Sequence, residues 1–187
     1  MTRTARPPTE ALLLPGIGTG GLEAAELSAA VLDGDLVRVG DAFVPVDEPQ
    51  DPALRAAVVR PRLAPGLVIA GRTAAWVWGA AWRLDEPISC CHAPRVRPGL
   101  AAGVVVQRVV LRPGDVVAVG DVLVTSPLRT ALDLARAPEA DFDERLLARQ
   151  LRGSQLTTAD VIAEIERRPR MPRRLLALRR LQVLLTR

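Results

Sequence analysis

Read for its apolar periodicity, the chain alternates short helical stretches with short valine-rich runs. Residues 22–32 (LEAAELSAAVL) put Leu22, Ala25, Ala29 and Leu32 on one face at helical spacing, with glutamate early in the first turn, where the dipole favours an anion. Asp33-Gly34-Asp35 ends that helix. Residues 36–46 alternate around Gly40-Asp41 and predict a β-hairpin. A helix followed by a hairpin is the second half of a winged helix. Residues 51–59 predict a short helix stopped by Pro61, and residues 67–70 a buried strand. A further helix is predicted over 71–81, with Trp76 and Ala80 on one side and Trp78 and Trp82 on another; that spacing predicts core packing for the tryptophans. Gly79 inside this helix costs stability and predicts a close packing contact. Residues 87–92 read as a strand and 94–103 as a loop.

The densest signal lies between Val104 and Arg136. Val104–Val106 and Val109–Leu111 are β-branched and apolar runs, and Gly120-Asp121 splits two valine-rich runs as a hairpin turn does. Ser126-Pro127 reads as helix cap and first helical residue, since the serine oxygen accepts an orphan N–H and proline has none to lose. Leu128, Ala131, Leu132 and Ala135 then share a face. Arg129 and Asp133 are an i,i+4 pair, read as a surface ion pair or an anchor to the sheet. Three helices follow, over 141–152, 157–167 (capped by Thr157) and 173–186, with a break at 168–172. Residues 1–21, rich in Pro, Thr and Gly, predict a partly disordered segment.

Composition narrows the chemistry. At 187 residues, 49% hydrophobic and 25% charged, the chain can bury a real core as one compact domain or as a small domain plus a medium one. No apolar run reaches transmembrane length, and the run at Ala11–Leu14 is too short for a signal peptide, so a soluble cytoplasmic protein is expected. All 25 basic residues are arginine, a pattern that a high-GC genome accounts for. Chemistry that needs a lysine amine is thereby excluded, a P-loop and a Schiff-base enzyme among it. His92 is the only histidine. Cys90, Cys91 and His92 are contiguous and cannot all converge on a tetrahedral zinc. On a strand, adjacent cysteines point to opposite faces, which predicts reduced structural thiols. No spacing marks a pair of carboxylates for hydrolysis. No catalytic residue, metal site or cofactor is expected.

Charge is unevenly spread. The net is +4 over the whole chain, yet residues 167–187 hold eight arginines and no acid. Such a single-sign field favours an anionic partner: nucleic acid, an acidic protein, or the chain's own acidic N-terminal half. The plainer alternative is a solvated face on an amphipathic helix pair. Arg167, Arg168, Arg170, Arg173, Arg174, Arg179 and Arg180 are the candidates for a nucleic-acid or acidic-partner surface, joined by Arg38 in the first hairpin. Stacking on single strands is not expected, because no aromatics interleave with them.

The run VLVTSPLRTALDLAR, with GRTAAWVWGA (Gly71–Ala80) and LVRVGDAFVPV (Leu36–Val46) upstream, resembles the actinobacterial AbiEi-type antitoxins of type IV toxin–antitoxin systems. The resemblance covers about three quarters of the chain. It implies an α+β fold, with a degenerate winged helix over residues 1–50 and a mixed-sheet α/β domain with an arginine-rich helical C-terminus over residues 51–187. It also implies a non-enzymatic repressor that binds double-stranded DNA at its own promoter and opposes a nucleotidyltransferase-like toxin. Some relatives continue into a Vsr-like nuclease. The ExK element of such a nuclease needs a lysine this chain lacks, and the chain stops about where that domain would begin. The family's reading helix is acidic here: residues 22–32 carry Glu23 and Glu26, and Asp33, Asp35 and Asp41 flank them. Any DNA contact is therefore expected mainly at the C-terminal arginines. The alternative is a protein-interaction module that takes an acidic partner or the cognate toxin on that same face.

Overall fold

A computed structural model of the chain describes residues 24–95, 99 and 102–186. The segment read as partly disordered (1–21), the first residues of the first predicted helix and much of the loop at 94–103 lie outside them. The described residues form an α+β fold in which a five-stranded mixed sheet carries helices.

Helix α1 (Ala24–Asp33) leads into the hairpin β1 (Leu36–Val39) and β2 (Ala42–Pro45), antiparallel with Val39 opposite Ala42. Helix and hairpin thus occur in the predicted order. The winged-helix reading also needs a helix before α1, and that stretch is outside the described residues. Helix α2 (Pro52–Val59) starts where expected, because the Asp51 carboxylate accepts the Leu54 N–H at 2.9 Å and proline occupies the first turn.

The sheet is built from β3 (Val68–Ile69), β4 (Ile88–His92), β5 (Val104–Arg108), β6 (Val116–Val119) and β7 (Val122–Thr125), in the order β5-β4-β3-β7-β6. The outer pairing β4–β5 and the central pairing β3–β7 are parallel; β3–β4 and β6–β7 are antiparallel. One face carries Ile69, Cys90, Val122 and Val124 into the main core, which they share with Trp76 and Val77, with Ala56, Val58 and Val59 of α2, and with Val39, Ala42 and Val44 of the hairpin. The other face holds Val68, Ala70 and Cys91. The two cysteines accordingly sit on opposite sides of the sheet, both reduced and buried, as the strand period requires.

Helix α3 (Gly71–Val77) is shorter than its sequence pattern predicts. Gly79 adopts φ +83°, and a Cβ there would meet nothing within 4 Å. It is a left-handed stop and not the close contact expected inside a longer helix. Arg55 holds this end by donating Nη1 to the carbonyls of Trp76 (2.7 Å) and Ala81 (3.3 Å). The turn also separates the tryptophans. Trp76 is buried, Trp78 donates its indole N–H to the Thr125 carbonyl at 2.8 Å, and Trp82 is 87% exposed, against the core role its spacing predicts.

The predicted run Val109–Leu111 does not form a strand, although the Val109 N–H still reaches the His92 carbonyl of β4 at 3.0 Å. Strand β5 ends at Arg108, and the Val110 carbonyl is taken by Arg129 at 3.2 Å and not by a neighbouring strand. Beyond the sheet, α4 (Pro127–Ala135) is capped by Ser126, whose hydroxyl accepts the Arg129 N–H at 3.3 Å. Helices α5 (Glu144–Gly153), α6 (Thr158–Glu166) and α7 (Arg174–Leu185) follow. The α5 start shifts three residues from the expected Asp141, because Asp143 supplies the cap and residues 139–141 form a 3-10 turn. Thr157 and Asp160 close a reciprocal capping box on α6. These four helices bury Leu132, Leu146, Leu147, Val161, Ile165 and Leu181 in a second core beside the sheet.

Candidate functional site

The turn between β5 and β6 delivers Asp115 into the interior. Its backbone N–H bonds the Arg112 carbonyl, and its carboxylate accepts the Arg112 N–H at 2.9 Å, a closed turn that aims the side chain inward. There it meets two guanidiniums. Arg129 of α4 donates Nη1 at 2.6 Å, and Arg168, just past α6, donates Nη1 and Nη2 to the two carboxylate oxygens. The Asp115 and Arg129 side chains are each only 4% exposed. Burial alone would push the Asp115 carboxyl up; the Arg168 hydrogen bonds, the Arg112 N–H and the charges of Arg129 and Arg168 outweigh it and hold the group below the usual carboxylate range.

The cluster extends outward on both sides. Arg129 Nε reaches Asp133 at 3.0 Å, and Asp133 also receives Arg136 at 2.8 Å. The i,i+4 pair expected from sequence forms within α4, and the same Arg129 ties that helix to the β5–β6 turn through Asp115. Arg168 Nε reaches Glu164 at 2.6 Å, and Glu164 holds Arg167 as well. Burial raises the Glu164 carboxyl, and the bonds from Arg168 and Arg167 more than reverse it.

Beside this network lies a cavity of about 410 Å³. Six arginines line it: Arg108, Arg112, Arg129, Arg136, Arg168 and Arg170. Its apolar wall comes from Val109, Val110, Leu132, Met171 and Pro172. Arg108, Arg112 and Arg170 are exposed and have no carboxylate partner among the described residues. Arg112 Nη1 donates to the Arg167 carbonyl at 3.0 Å, which joins the β5–β6 turn to the α6–α7 linker. Arg108, Arg112, Arg167 and Arg170 consequently share one edge of the molecule.

The predicted tail residues divide by this geometry. Arg167, Arg170, Arg173 and Arg179 are exposed, and Arg174 is half-buried. Arg168 and Arg180 are inside. Arg180 donates to the carbonyls of Ala135 (3.1 Å) and Ala137 (2.6 Å), pairs with Glu139, and lies 3.8 Å over the Phe142 ring. Both guanidiniums are spent on internal acceptors, so they leave the set available to an outside ligand. Their counter-ions are Asp115 and Glu164 for Arg168 and Glu139 for Arg180. Arg38 is exposed on β1 and donates Nε to the Gly40 carbonyl; nothing brings it into the cavity. Asp115, Arg108, Arg112 and Arg136 were absent from the sequence candidates. Asp115 and Arg168 are 53 residues apart, and no local pattern links them.

No group of three or more His, Cys, Asp or Glu side chains placed to hold a metal occurs among the described residues, and no helix there is long and apolar enough to cross a membrane. Burial pushes both cysteine thiols up to about 12, and His92 Nδ1 is engaged by the Ala93 carbonyl. The family model described as AbiEi antitoxin C-terminal domain matches residues 66–184, a span that takes in the sheet and every residue lining the cavity. No curated protein matches the chain.

Proposed function

Since the chain belongs to the AbiEi antitoxin family, we propose that it acts as a non-catalytic antitoxin that represses transcription of a type IV toxin–antitoxin operon. Its partners in this reading are double-stranded DNA at its own promoter and a nucleotidyltransferase-like toxin encoded alongside. The observation that carries the DNA contact is the shared edge of Arg108, Arg112, Arg167 and Arg170, which neighbours the exposed Arg173. Arginines so placed contact phosphates without reading bases, and release counterions as they do so. The high thiol pKa values and the tied imidazole favour a role without nucleophilic catalysis.

Fluorescence anisotropy with the chain's own upstream duplex, repeated across a salt series, tests it. Four phosphate contacts give a slope of log K against log salt of about −3.6. Replacing Arg167 and Arg170 by Ala should weaken binding and make the slope shallower by about two. A slope unchanged in that double variant overturns the reading.

A second reading has its own observation. Helix α7 exposes Leu175, Val183 and Leu185 beside Arg179, which suits a protein surface that has both apolar and acidic parts. No duplex binding at low salt, together with co-purification of the neighbouring toxin, would favour this interaction module.

A further inference from the structure

The cavity beside Asp115 is more than a patch of surface charge. At about 410 Å³ it falls within the size class of small-molecule pockets, roughly 300–1,000 Å³. A backbone phosphate of a duplex needs exposed arginines only; it has no use for an apolar recess. Here Leu132, Val109, Met171 and Pro172 line the same cavity as the arginines.

The charges are arranged for an anion. Six guanidiniums line or enter the cavity, and the carboxylates bonded to them are Asp115, Asp133 and Glu164. Arg108, Arg112 and Arg170 thus stand uncompensated among the described residues. Arg129 adds a buried donor. Its Nε and Nη1 are spent on Asp133, Val110 and Asp115, while Nη2 has no acceptor among the described residues. A guanidinium that is almost fully buried, fixed by two carboxylates and left with one free nitrogen is a preorganised donor. Three exposed cations and one fixed donor exceed what a single carboxylate would need. They match a phosphomonoester, which carries about −1.5 to −2 at neutral pH and three acceptor oxygens.

We infer that this cavity binds a small phosphomonoester with a compact apolar or planar body, of the size of a nucleoside monophosphate. Arg108, Arg112, Arg170 and Arg129 Nη2 receive the phosphate, and Leu132, Val109, Met171 and Pro172 receive the body. The inference does not depend on DNA binding, and its test contains no DNA in the primary arm.

Isothermal titration calorimetry of the full chain at low salt, with AMP, GMP, adenosine and inorganic phosphate as probes, decides it. At least one nucleotide should bind with Kd of about 100 μM or tighter, adenosine should give no heat, and inorganic phosphate should bind about tenfold more weakly or worse. The double variant Arg108→Ala/Arg170→Ala should lose about tenfold or more, with its thermal midpoint unchanged, because both side chains are exposed and unpaired. Absence of nucleotide binding at millimolar concentration overturns the proposal. So does equal binding by the double variant, or inorganic phosphate matching the nucleotides. A parallel anisotropy arm separates the two readings: if nucleotides fail while duplex binding falls in the same variant, the cavity edge seats backbone phosphates and the small-molecule site does not exist.

Discussion

Replacing Asp115 by Asn probes the joint between the sheet and the C-terminal helices. Asn keeps the size of the side chain and removes its charge. The carboxylate accepts four hydrogen bonds, from Arg112 N, Arg129 Nη1 and both terminal nitrogens of Arg168, at a site 4% exposed. In the variant one oxygen becomes an NH₂ that faces guanidinium donors. Removing one member of a buried pair costs about 3–5 kcal/mol, because the other charge stays behind. Here neither cation is orphaned: Arg129 keeps Asp133 and Arg168 keeps Glu164. The expected loss therefore sits at the low end, about 3 kcal/mol. With a urea m-value of about 2 kcal/mol/M, the unfolding midpoint should fall by roughly 1.5 M. The pH dependence supplies a second check. Asp115 titrates lower in the folded protein than its unfolded value near 3.9. Its contribution is thus fully present above that value and is lost as pH falls through the lowered folded value. Wild type and Asp115→Asn should therefore converge in stability as pH drops below about 4. A midpoint shift under about 0.5 M at neutral pH, the range of a surface ion pair, refutes the reasoning.

Other consequences are separable from this one. Arg180→Met should destabilise by about 2–3 kcal/mol in urea unfolding, through loss of the charged hydrogen bonds to Ala135 and Ala137 and of the Phe142 contact, yet leave the salt slope of duplex binding where it was; a shallower slope would return Arg180 to the surface set. Gly79→Ala should cost about 1–2 kcal/mol, purely for holding φ +83° with a Cβ, since the space around it is open; differential scanning calorimetry should show a midpoint lower by about 3–6 °C, and no change would mean the turn relaxes freely. Cys90 and Cys91, buried with thiols pushed up to about 12, should resist a disulfide reagent at pH 8 in the native protein and react together when urea unfolds it; fast native labelling would contradict their burial.

What was legible in the sequence was whatever local chemistry decides. Ser126-Pro127 and Thr157 mark helix starts through bonds that span three residues. Gly40-Asp41 and Gly120-Asp121 mark hairpins, because both glycines take positive φ, near +60°. The opposite burial of Cys90 and Cys91 follows from a period of two. The misreadings share another cause. Gly79 looks the same in a one-letter pattern whether it sits inside a helix or ends it, and only its backbone, at φ +83°, tells which. Val109–Leu111 has the composition of a strand, yet the Val110 carbonyl finds a guanidinium from α4. The sheet order is also silent in sequence: β3 has two residues and acquires its place by pairing with β4 on one side and β7 on the other.

The arginine tail shows why such silence matters for function. From Arg167 onward the sequence offers no acid, and a local reading leaves that charge to an outside partner, to solvent or to the chain's own acidic residues without sorting one arginine from another. Folding brings acids from far away, and does so selectively. Asp115 and Glu139 neutralise Arg168 and Arg180, each buried where an unpaired charge could not persist. Arg170, Arg173 and Arg179 are left at the surface, while Arg108 and Arg112, more than fifty residues upstream of the tail, join Arg170 around the cavity. The cationic surface that results is smaller than the sequence suggests, and it is assembled from two separate parts of the chain. The same carboxylate that removes Arg168 from that surface fixes Arg129 beside the cavity. The ion pairs that stabilise the joint and the free nitrogens that face a ligand therefore belong to one construction. Weakening Asp115 should loosen the ligand site even when the exposed arginines are untouched.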